Sequence, residues 1–203
     1  MLTEYYGWAP WFTDFPHGTK VLDLGFGRGD LLRDLRDRKC DAYGLESDRR
    51  LVEKFQAEGF NVCLGRAEEL PYEADCFDAV VCSVVVPYTR ERRAIAEIAR
   101  VLKPGGTVNM SFHGIGYALN YLARPGSWKL RFYGLRMLLN TGCYWATRAR
   151  LPGPLGDTLI QTRRQLRHHY RRYGLKLVRE EVKPEGAAFP LFIYHQAKKI
   201  SRN

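Results

Sequence analysis

The stretch that decides the fold is Val21-Leu22-Asp23-Leu24-Gly25-Phe26-Gly27-Arg28-Gly29-Asp30. The apolar run at its start predicts a buried β-strand over residues 20–24, and the alternate glycines that follow predict a sharp turn into a helix. Glycines at such a turn let the backbone approach a ligand at the start of the helix. The stretch therefore predicts the opening strand, loop and helix of an α/β fold, with a ligand site at the turn.

The residues around these glycines indicate which ligand fits. A dinucleotide site carries G-x-G-x-x-G or A, which would put a small residue at position 30, where this chain has Asp30. Asp23 and Asp30 would both place negative charge beside a pyrophosphate. S-adenosylmethionine has no phosphate and carries a cationic sulfonium, so the same carboxylates are compatible with it and disfavour NAD.

Apolar runs and helical patterns alternate along the rest of the chain. Strands are predicted at residues 20–24, 40–45, 60–64, 77–86, 107–112, 175–182 and 189–198. Helices are predicted at residues 30–39, 49–58, 90–102, 116–123, 128–147 and 163–173, with Pro104-Gly105-Gly106 ending the third. This alternation predicts an α/β fold with a doubly wound, mostly parallel Rossmann-like sheet of seven strands, the last one antiparallel.

The length of 203 residues suits one domain spanning residues 1–203. Residues 114–158 lack a strand signal and are predicted to form an inserted helical lid between strand 5 and the following helix. As a lid, this segment would cover a hydrophobic acceptor with four side chains: Phe132, Leu135, Met137 and Leu139. Its arginines would then face an anionic head group or a bilayer. Ordinary packing of these side chains on the sheet is the alternative.

The basic charge of the chain is concentrated in its second part. Residues 1–113 hold 15 Lys and Arg against 18 Asp and Glu, whereas residues 114–203 hold 17 against 4, a net charge of +13. An anionic partner explains this imbalance, and so does a solvated basic face. We find no signal peptide and no run long enough to cross a membrane, which predicts a cytoplasmic protein. Five cysteines without a C-x-x-C pair argue against a disulfide framework and a zinc site.

Four blocks of the sequence, in order, resemble class I S-adenosylmethionine-dependent methyltransferases of the small-molecule and quinone or lipid type. They lie at residues 21–29, 43–48, 65–83 and 97–106. The resemblance implies S-adenosylmethionine as cofactor, S-adenosylhomocysteine as product and no metal. It also implies a cofactor site made of Asp23, Gly25, Phe26, Gly27, Glu46, Ser47, Ala67, Glu68 and Ser83.

Individual roles follow from the same resemblance. Asp23, Gly25 and Gly27 would surround the methionine part, and Glu46 would bind both ribose hydroxyls. Ala67 and Glu68 fall where the family contacts adenine. The alternative for Glu46 is to cap the next helix, and the alternative for Glu68 is a surface position. The chain departs from the family pattern at Phe26, which replaces a small residue, and at Arg66, which replaces a frequent aspartate. The N-terminal aromatic residues are expected to fold over the cleft, as helices do in that family: Tyr5, Tyr6, Trp8, Trp11 and Phe12.

A general base is needed only if the methyl acceptor must lose a proton. Tyr88, His113 and Tyr117 are the candidates near the carboxyl ends of strands 4 and 5, with His113 as first choice. A single histidine at a strand end is more often a hydrogen-bonded structural residue.

Together these observations predict methyl transfer to a small hydrophobic or amphipathic acceptor, a class that includes lipid-like compounds, and they are compatible with peripheral membrane contact. Two alternatives remain open. One is an RNA or DNA methyltransferase whose arginines track phosphates, chiefly Arg163, Arg164, Arg167, Arg171 and Arg172. The other is a non-catalytic cofactor-binding module of the same fold. The acceptor and the oligomeric state are not determined by the sequence.

Overall fold

A computed structural model describes residues 10–147, 149–156, 158–186 and 188–201. Tyr5, Tyr6 and Trp8 lie outside the described residues. The strands are β1 (Lys20–Leu24), β2 (Asp41–Glu46), β3 (Asn61–Leu64), β4 (Phe77–Ser83), β5 (Leu102–His113), β6 (Leu175–Lys183) and β7 (Phe192–Lys199). The helices are α1 (Asp30–Asp37), α2 (Arg49–Ala57), α3 (Glu91–Val101), α4 (Ile115–Ala123), α5 (Trp128–Thr147) and α6 (Arg163–Arg172).

The seven strands form one sheet in the order β3-β2-β1-β4-β5-β7-β6. β1 to β5 are joined by parallel pairings, whereas β7 is antiparallel to both of its neighbours. The strand order reverses at β1, so the carboxyl ends of β1 and β4 flank the crevice where ligands of open α/β sheets bind. The predicted fold class is confirmed.

Helices cover the two faces of this sheet. Val21, Ala79 and Val81 pack with α1 on one face, and α2 packs next to α1. The alternate residues of the same strands, among them Leu22 and Val80, point to the other face and pack with α3 and α6. This parity follows from the period of two along a strand, and it makes the central strands apolar on both sides.

The predicted start of β5, end of β4 and start of β7 are wrong. α3 ends at Val101, and Pro104-Gly105-Gly106 lies inside β5 instead of stopping the helix. β5 begins early because Leu102 pairs with Phe77 of β4, with a register shift before the regular pairing resumes. β4 ends at Ser83 and is followed by a 3-10 turn at Val86–Tyr88. β7 begins at Phe192 and not at residue 189.

The segment after β5 is helical, as predicted, and its two helices pack on each other. A Cβ added at Gly134 of α5 would lie 2.6 Å from the carbonyl oxygen of Ala118 in α4, so glycine permits this close approach. Met137 is buried with Ala118 and Ile160 in the interior of this pair. The prediction that Met137 covers an acceptor is therefore wrong, because its side chain fills the core of the helical pair.

The described N-terminal residues pack on the sheet. Phe12 is fully buried beside Tyr194 of β7, and the indole N–H of Trp11 donates to Glu181 of β6 at 2.8 Å. Both contacts lie toward the β7-β6 edge, so the expectation that Trp11 and Phe12 fold over the cleft is wrong. Within the described residues, none of the helices is both long and apolar enough to cross a bilayer.

Candidate functional site

A cavity of about 410 Å³ lies at the carboxyl ends of β1, β2 and β4. Its volume falls in the range usual for small-ligand sites. Several predicted cofactor residues line it: Gly25, Glu46, Ser47, Ala67, Glu68 and Ser83. Gly65, Val84, Val85 and Thr89 also line it and were not predicted, because they carry no recognisable chemistry and reach the cavity only through the loops that follow β3 and β4.

Two glycines of the loop after β1 are required for different reasons. Gly25 has a φ of +76°, and a Cβ there would lie 2.3 Å from Cγ2 of Val85, so the loops after β1 and β4 touch at this point. Gly27 has a φ of +50°, but its Cβ would meet nothing nearer than the carbonyl oxygen of Gly25 at 4.0 Å. Packing explains Gly25, whereas the space next to Gly27 is open, although Gly27 is not among the residues that line the cavity.

Glu46, the last residue of β2, holds the glycine loop and the start of α2 together. Its Oε2 accepts a hydrogen bond from the N–H of Gly27 at 3.1 Å. Its Oε1 accepts from the N–H of Ser47 at 2.6 Å and from the N–H of Asp48 at 3.2 Å. Asp48, and not Glu46, is the N-cap of α2, since it accepts from the N–H of Arg50. The carboxylate of Glu46 thus lies on the cavity wall in a fixed orientation.

Asp23 is buried one residue before the end of β1, behind the lining of the cavity. Burial, and secondarily the nearby charge of Glu46, raises the pKa of Asp23 from its ordinary 3.8 to about 8. A desolvated carboxyl group of this kind gains from a cation placed beside it, because the cation restores the ionised form. Asp23 and Glu46 together therefore favour a positively charged ligand.

The two departures from the family pattern differ in position, because Arg66 is among the residues that line the cavity and Phe26 is not. The side chain of Phe26 packs between α1 and α2 against Phe55, with ring centroids 5.0 Å apart. Only the backbone of Phe26 is therefore available to a ligand. The side chain of Arg66 is 81% exposed and reaches toward Glu68. Glu68 accepts the N–H of Arg90 at 2.9 Å, which fixes its carboxylate at the start of α3.

One face of the sheet connects the cavity with the predicted catalytic residues. Asp23 pairs with Val81 of β4, and Ser83 pairs with Ser111 of β5, so their side chains point to the same face. The hydroxyls of Ser83 and Ser111 share a hydrogen bond of 3.0 Å. His113 is the next residue of β5 on this face, with its Cα about 8 Å from that of Ser83 by standard strand spacings.

His113 is the last residue of β5 and lies in an aromatic cluster that continues into the helical segment. Its ring stacks on Tyr117 with centroids 3.8 Å apart. Burial lowers the pKa of His113 from 6.5 to about 4, and its buried Nδ1 has no hydrogen-bond partner among the described residues. Burial, a hydrogen bond with Tyr121 and the neighbouring tyrosines, Tyr88 among them, raise the pKa of Tyr117.

Tyr88 links this aromatic cluster to the cavity, because it lines the cavity and also lies near Tyr117. The segment that leaves α5 is attached at the same place. The N–H of Leu159 donates to the carbonyl oxygen of Pro87 at 3.1 Å, and the guanidinium of Arg150 donates to the carbonyl oxygens of Pro87 and Thr89. Arg150 was missed by sequence reasoning, since nothing in its surroundings distinguishes it from the other arginines.

The arginines of α6 are partly neutralised. Arg163 and Arg167 both form ion pairs with Glu180 of β6, at 3.2 and 3.3 Å. Glu180 also contacts Nε2 of the buried His195 at 3.0 Å. Two of the five arginines that were predicted to bind nucleic-acid phosphates therefore form ion pairs within the protein.

Residues 22–110 match the family described as "Methyltransferase domain". An uncharacterized methyltransferase of Mycobacterium tuberculosis is 34% identical over 109 residues, which cover 53% of this chain and 45% of that protein. A tRNA (carboxymethyluridine(34)-5-O)-methyltransferase of Arabidopsis thaliana is 31% identical, over 49% and 25% of the two chains. A 2-methyl-6-phytyl-1,4-hydroquinone methyltransferase of Oryza sativa is 33% identical, over 45% and 30%. The chain spans less than half the length of these curated relatives.

Solved structures share the fold over nearly the whole chain. A S-adenosylmethionine-dependent methyltransferase from Methanosarcina mazei superposes with a TM-score of 0.69 at 19% identity, covering 96% of this chain and 99% of that one. The sequence match covers the strands that build the cavity, and the shared fold includes β6 and β7. By sequence the chain is similar to methyltransferases over residues 22–110, and it shares the fold of S-adenosylmethionine-dependent methyltransferases.

Proposed function

We propose that this protein transfers a methyl group from S-adenosylmethionine to a small hydrophobic or amphipathic acceptor, leaving S-adenosylhomocysteine. The observation that carries the proposal is the pairing of two carboxylates, Asp23 and Glu46, with the open backbone at Gly27. A cation beside these groups would stabilise the ionised form of Asp23, whereas a diphosphate would keep Asp23 protonated and would face the carboxylate of Glu46.

The chain's own residues fit this cofactor. Glu46 presents a carboxylate with the geometry to accept both hydroxyls of a ribose. Asp23 would compensate the positive charge of the methionine part, and the open space at Gly27 would let that part lie against the backbone. Ala67 and Glu68 would border the adenine. Because the side chain of Arg66 is turned outward, the backbone or Glu68 would have to make the polar contacts to the amino group of the adenine.

When bound, S-adenosylmethionine supplies an activated methyl group, so the protein needs mainly to align the acceptor and exclude water. The face that carries Asp23 and Ser83 leads to His113 and Tyr117, and we therefore expect the acceptor to lie at the aromatic cluster. An apolar wall of Tyr88, Tyr117 and the stacked His113 suits an acceptor with an aromatic or aliphatic body.

His113 would act on the acceptor as a neutral imidazole. Its lowered pKa keeps the ring uncharged at neutral pH, and the unpartnered Nδ1 is able to accept a hydrogen bond from an acceptor hydroxyl or to take its proton. Tyr88 and Tyr117 would orient the acceptor through their rings and hydroxyls. The raised pKa of Tyr117 makes its hydroxyl a donor and not a base.

Methylation of a nucleic acid is a second candidate, favoured by the tRNA-methylating relative and by the net charge of +13 over residues 114–203. The ion pairs of Arg163 and Arg167 with Glu180 weaken it, because those arginines are less available to phosphates. A steep salt dependence of RNA binding would support this candidate, and its absence would remove it.

Isothermal titration calorimetry with S-adenosylmethionine and, separately, with NAD tests the cofactor assignment. We expect saturable binding of the first only. Incubation with methyl-labelled cofactor and a panel of quinols, fatty acids, polyprenyl compounds and RNA then tests the acceptor class. Binding of NAD would overturn the proposal, binding without transfer to any of them would favour a non-catalytic module, and transfer to RNA alone would replace the acceptor class.

A further inference from the structure

The outer face of α5 carries an apolar stripe that the fold leaves exposed. Trp128, Phe132, Leu135 and Leu139 follow each other at intervals of four, three and four residues, so their side chains project from one side of the helix. They are 73%, 54%, 45% and 57% exposed. We call these four residues the α5 stripe.

The α5 stripe is not needed to hold the helix in place, because the opposite side of α5 does so. Gly134 lets that side approach α4 closely. The Asn140 side-chain amide donates to the carbonyl oxygen of Thr158 at 2.7 Å, and the Thr141 hydroxyl accepts from the N–H of Ile160 at 3.0 Å. The stripe is therefore presented on a firmly attached helix, and contiguous exposed apolar surface of this kind is typical of an interaction site.

The charges around the stripe all have one sign. Residues 114–156 contain six Lys and Arg and no Asp or Glu. Arg124, Lys129 and Arg131 are exposed at the start of α5, beside Trp128 and Phe132. A helix that combines exposed Trp, Phe and Leu with Lys and Arg is typical of segments that lie in the interface of an anionic bilayer.

We propose that the α5 stripe and these three basic residues dock the protein on the surface of an anionic phospholipid membrane. Trp128, Phe132, Leu135 and Leu139 would enter the boundary between head groups and acyl chains, while Arg124, Lys129 and Arg131 contact lipid phosphates. Docking leaves the helix parallel to the surface, in agreement with the finding that no described helix is able to span a bilayer. The inference does not rest on the proposed methyl transfer, since vesicle binding requires no cofactor.

Vesicle flotation tests the docking surface. Wild-type protein should float with vesicles of phosphatidylcholine and phosphatidylglycerol, less so at high salt, and should not float with phosphatidylcholine alone. The pair Leu135→Gln and Leu139→Gln should lower binding by about tenfold or more, through the lost apolar burial. The matched control is Val178→Gln with Ile200→Gln, two similarly exposed apolar residues outside α5, and it should bind as the wild type does.

Charge is tested by a second set of variants. Replacing Arg124, Lys129 and Arg131 by Gln should lower binding on the order of 100-fold, because each basic residue near an anionic surface contributes about fivefold. The control replaces the exposed Arg92, Arg93 and Lys176 by Gln, which removes the same charge elsewhere. Circular dichroism and S-adenosylmethionine titration on every variant report whether the fold and the cofactor site are intact.

Three results would overturn the proposal. One is equal binding of the wild type to both kinds of vesicle, or to neither. Another is an equal loss of binding in the α5 variants and their controls. The third is sedimentation showing a dimer that Leu135→Gln with Leu139→Gln dissociates, since the stripe would then be covered by a second copy of the chain.

Discussion

Oε2 of Glu46 lies 3.1 Å from the backbone nitrogen of Gly27, so the end of β2 and the glycine loop after β1 are joined by a direct hydrogen bond. The same carboxylate is the group proposed to bind the ribose. The proposal therefore couples cofactor binding and loop geometry through one side chain. A variant of Glu46 therefore requires a measurement of stability in addition to the measurement of cofactor affinity.

Replacing Glu46 by Ala should weaken S-adenosylmethionine binding by about 1 to 3 kcal/mol, because a charged hydrogen-bonding group is removed. Calorimetry measures the affinity, and thermal unfolding shows whether the loop still folds. Glu53→Ala is the control, since Glu53 is an exposed residue of α2 that pairs only weakly with Arg49. Unchanged affinity in a folded Glu46→Ala protein would contradict the ribose assignment.

Replacing Gly27 by Ala separates a ligand role from backbone strain. A left-handed conformation costs a non-glycine residue about 1 to 2 kcal/mol, and Gly59, with a φ of +77° and nothing within 4 Å of an added Cβ, provides the matched control. Gly27→Ala and Gly59→Ala should lose similar stability in denaturant titrations. Only Gly27→Ala should lose cofactor affinity, because its methyl group would occupy the open space at the glycine loop where the cofactor is proposed to lie. Equal cofactor affinity in the two variants would show that the space at Gly27 is not used.

The pKa of Asp23 predicts how cofactor binding depends on pH. Because the carboxyl group is protonated below about pH 8 in the free protein, binding a cation there must release a proton. Affinity should therefore rise with pH up to about 8, by up to about tenfold per unit. Calorimetry in two buffers of different ionisation heat measures the proton release directly, and Asp23→Asn should abolish this component.

Stability gives an independent check on the same group. The folded pKa of Asp23 lies above its ordinary 3.8, so the free wild-type protein should lose stability as pH rises from about 4 to about 8. Asp23→Asn should lack this loss. A wild type and a variant with parallel profiles would mean that Asp23 is ionised throughout.

His113 predicts the opposite dependence at lower pH. Its folded pKa of about 4 lies below the ordinary 6.5, so the unfolded chain binds the proton first and stability should fall as pH drops from 6.5 to 4. The contribution is about 1.4 kcal/mol for each pH unit in that window. Denaturant titrations of His113→Gln should show a shallower fall, whereas the exposed His17 replaced by Gln should not change it.

The same variant tests the catalytic assignment once an acceptor is known. His113→Gln should lower kcat for an acceptor that must lose a proton, while cofactor affinity stays within about twofold, because His113 lies beyond the cofactor cavity. An unchanged kcat would leave His113 a structural member of the aromatic cluster.

The sequence predicted the parts of the fold that local pattern determines. The strand at Lys20–Leu24 and the helix at Trp128–Thr147 have the predicted bounds. The prediction was wrong where tertiary pairing overrides local preference. Local pattern predicts that a helix stops at Pro104-Gly105-Gly106, but these residues belong to β5 because Leu102 already pairs with Phe77 of β4. The cavity positions Gly25, Glu46 and Ala67 were predicted because they belong to contiguous motifs.

The sequence did not determine the direction in which individual side chains of the motifs point. Phe26 and Arg66 belong to the motifs, yet one packs between two helices and the other points to solvent. Met137 and Leu139 both belong to the apolar pattern of α5, and only the contact with α4 decides that the first is buried and the second exposed. The attachment of Arg150 to Pro87 and Thr89 spans more than sixty residues and leaves no local signal.

That attachment has a kinetic consequence. Because the segment leaving α5 is hydrogen-bonded to the turn at Val86–Tyr88, an outward movement of α4 and α5 would pull on a wall of the cavity. Under the proposed function, entry of the acceptor and release of S-adenosylhomocysteine should therefore depend on the same hydrogen bonds. We expect loosening Arg150 to hasten nucleoside dissociation more than it alters the chemical step.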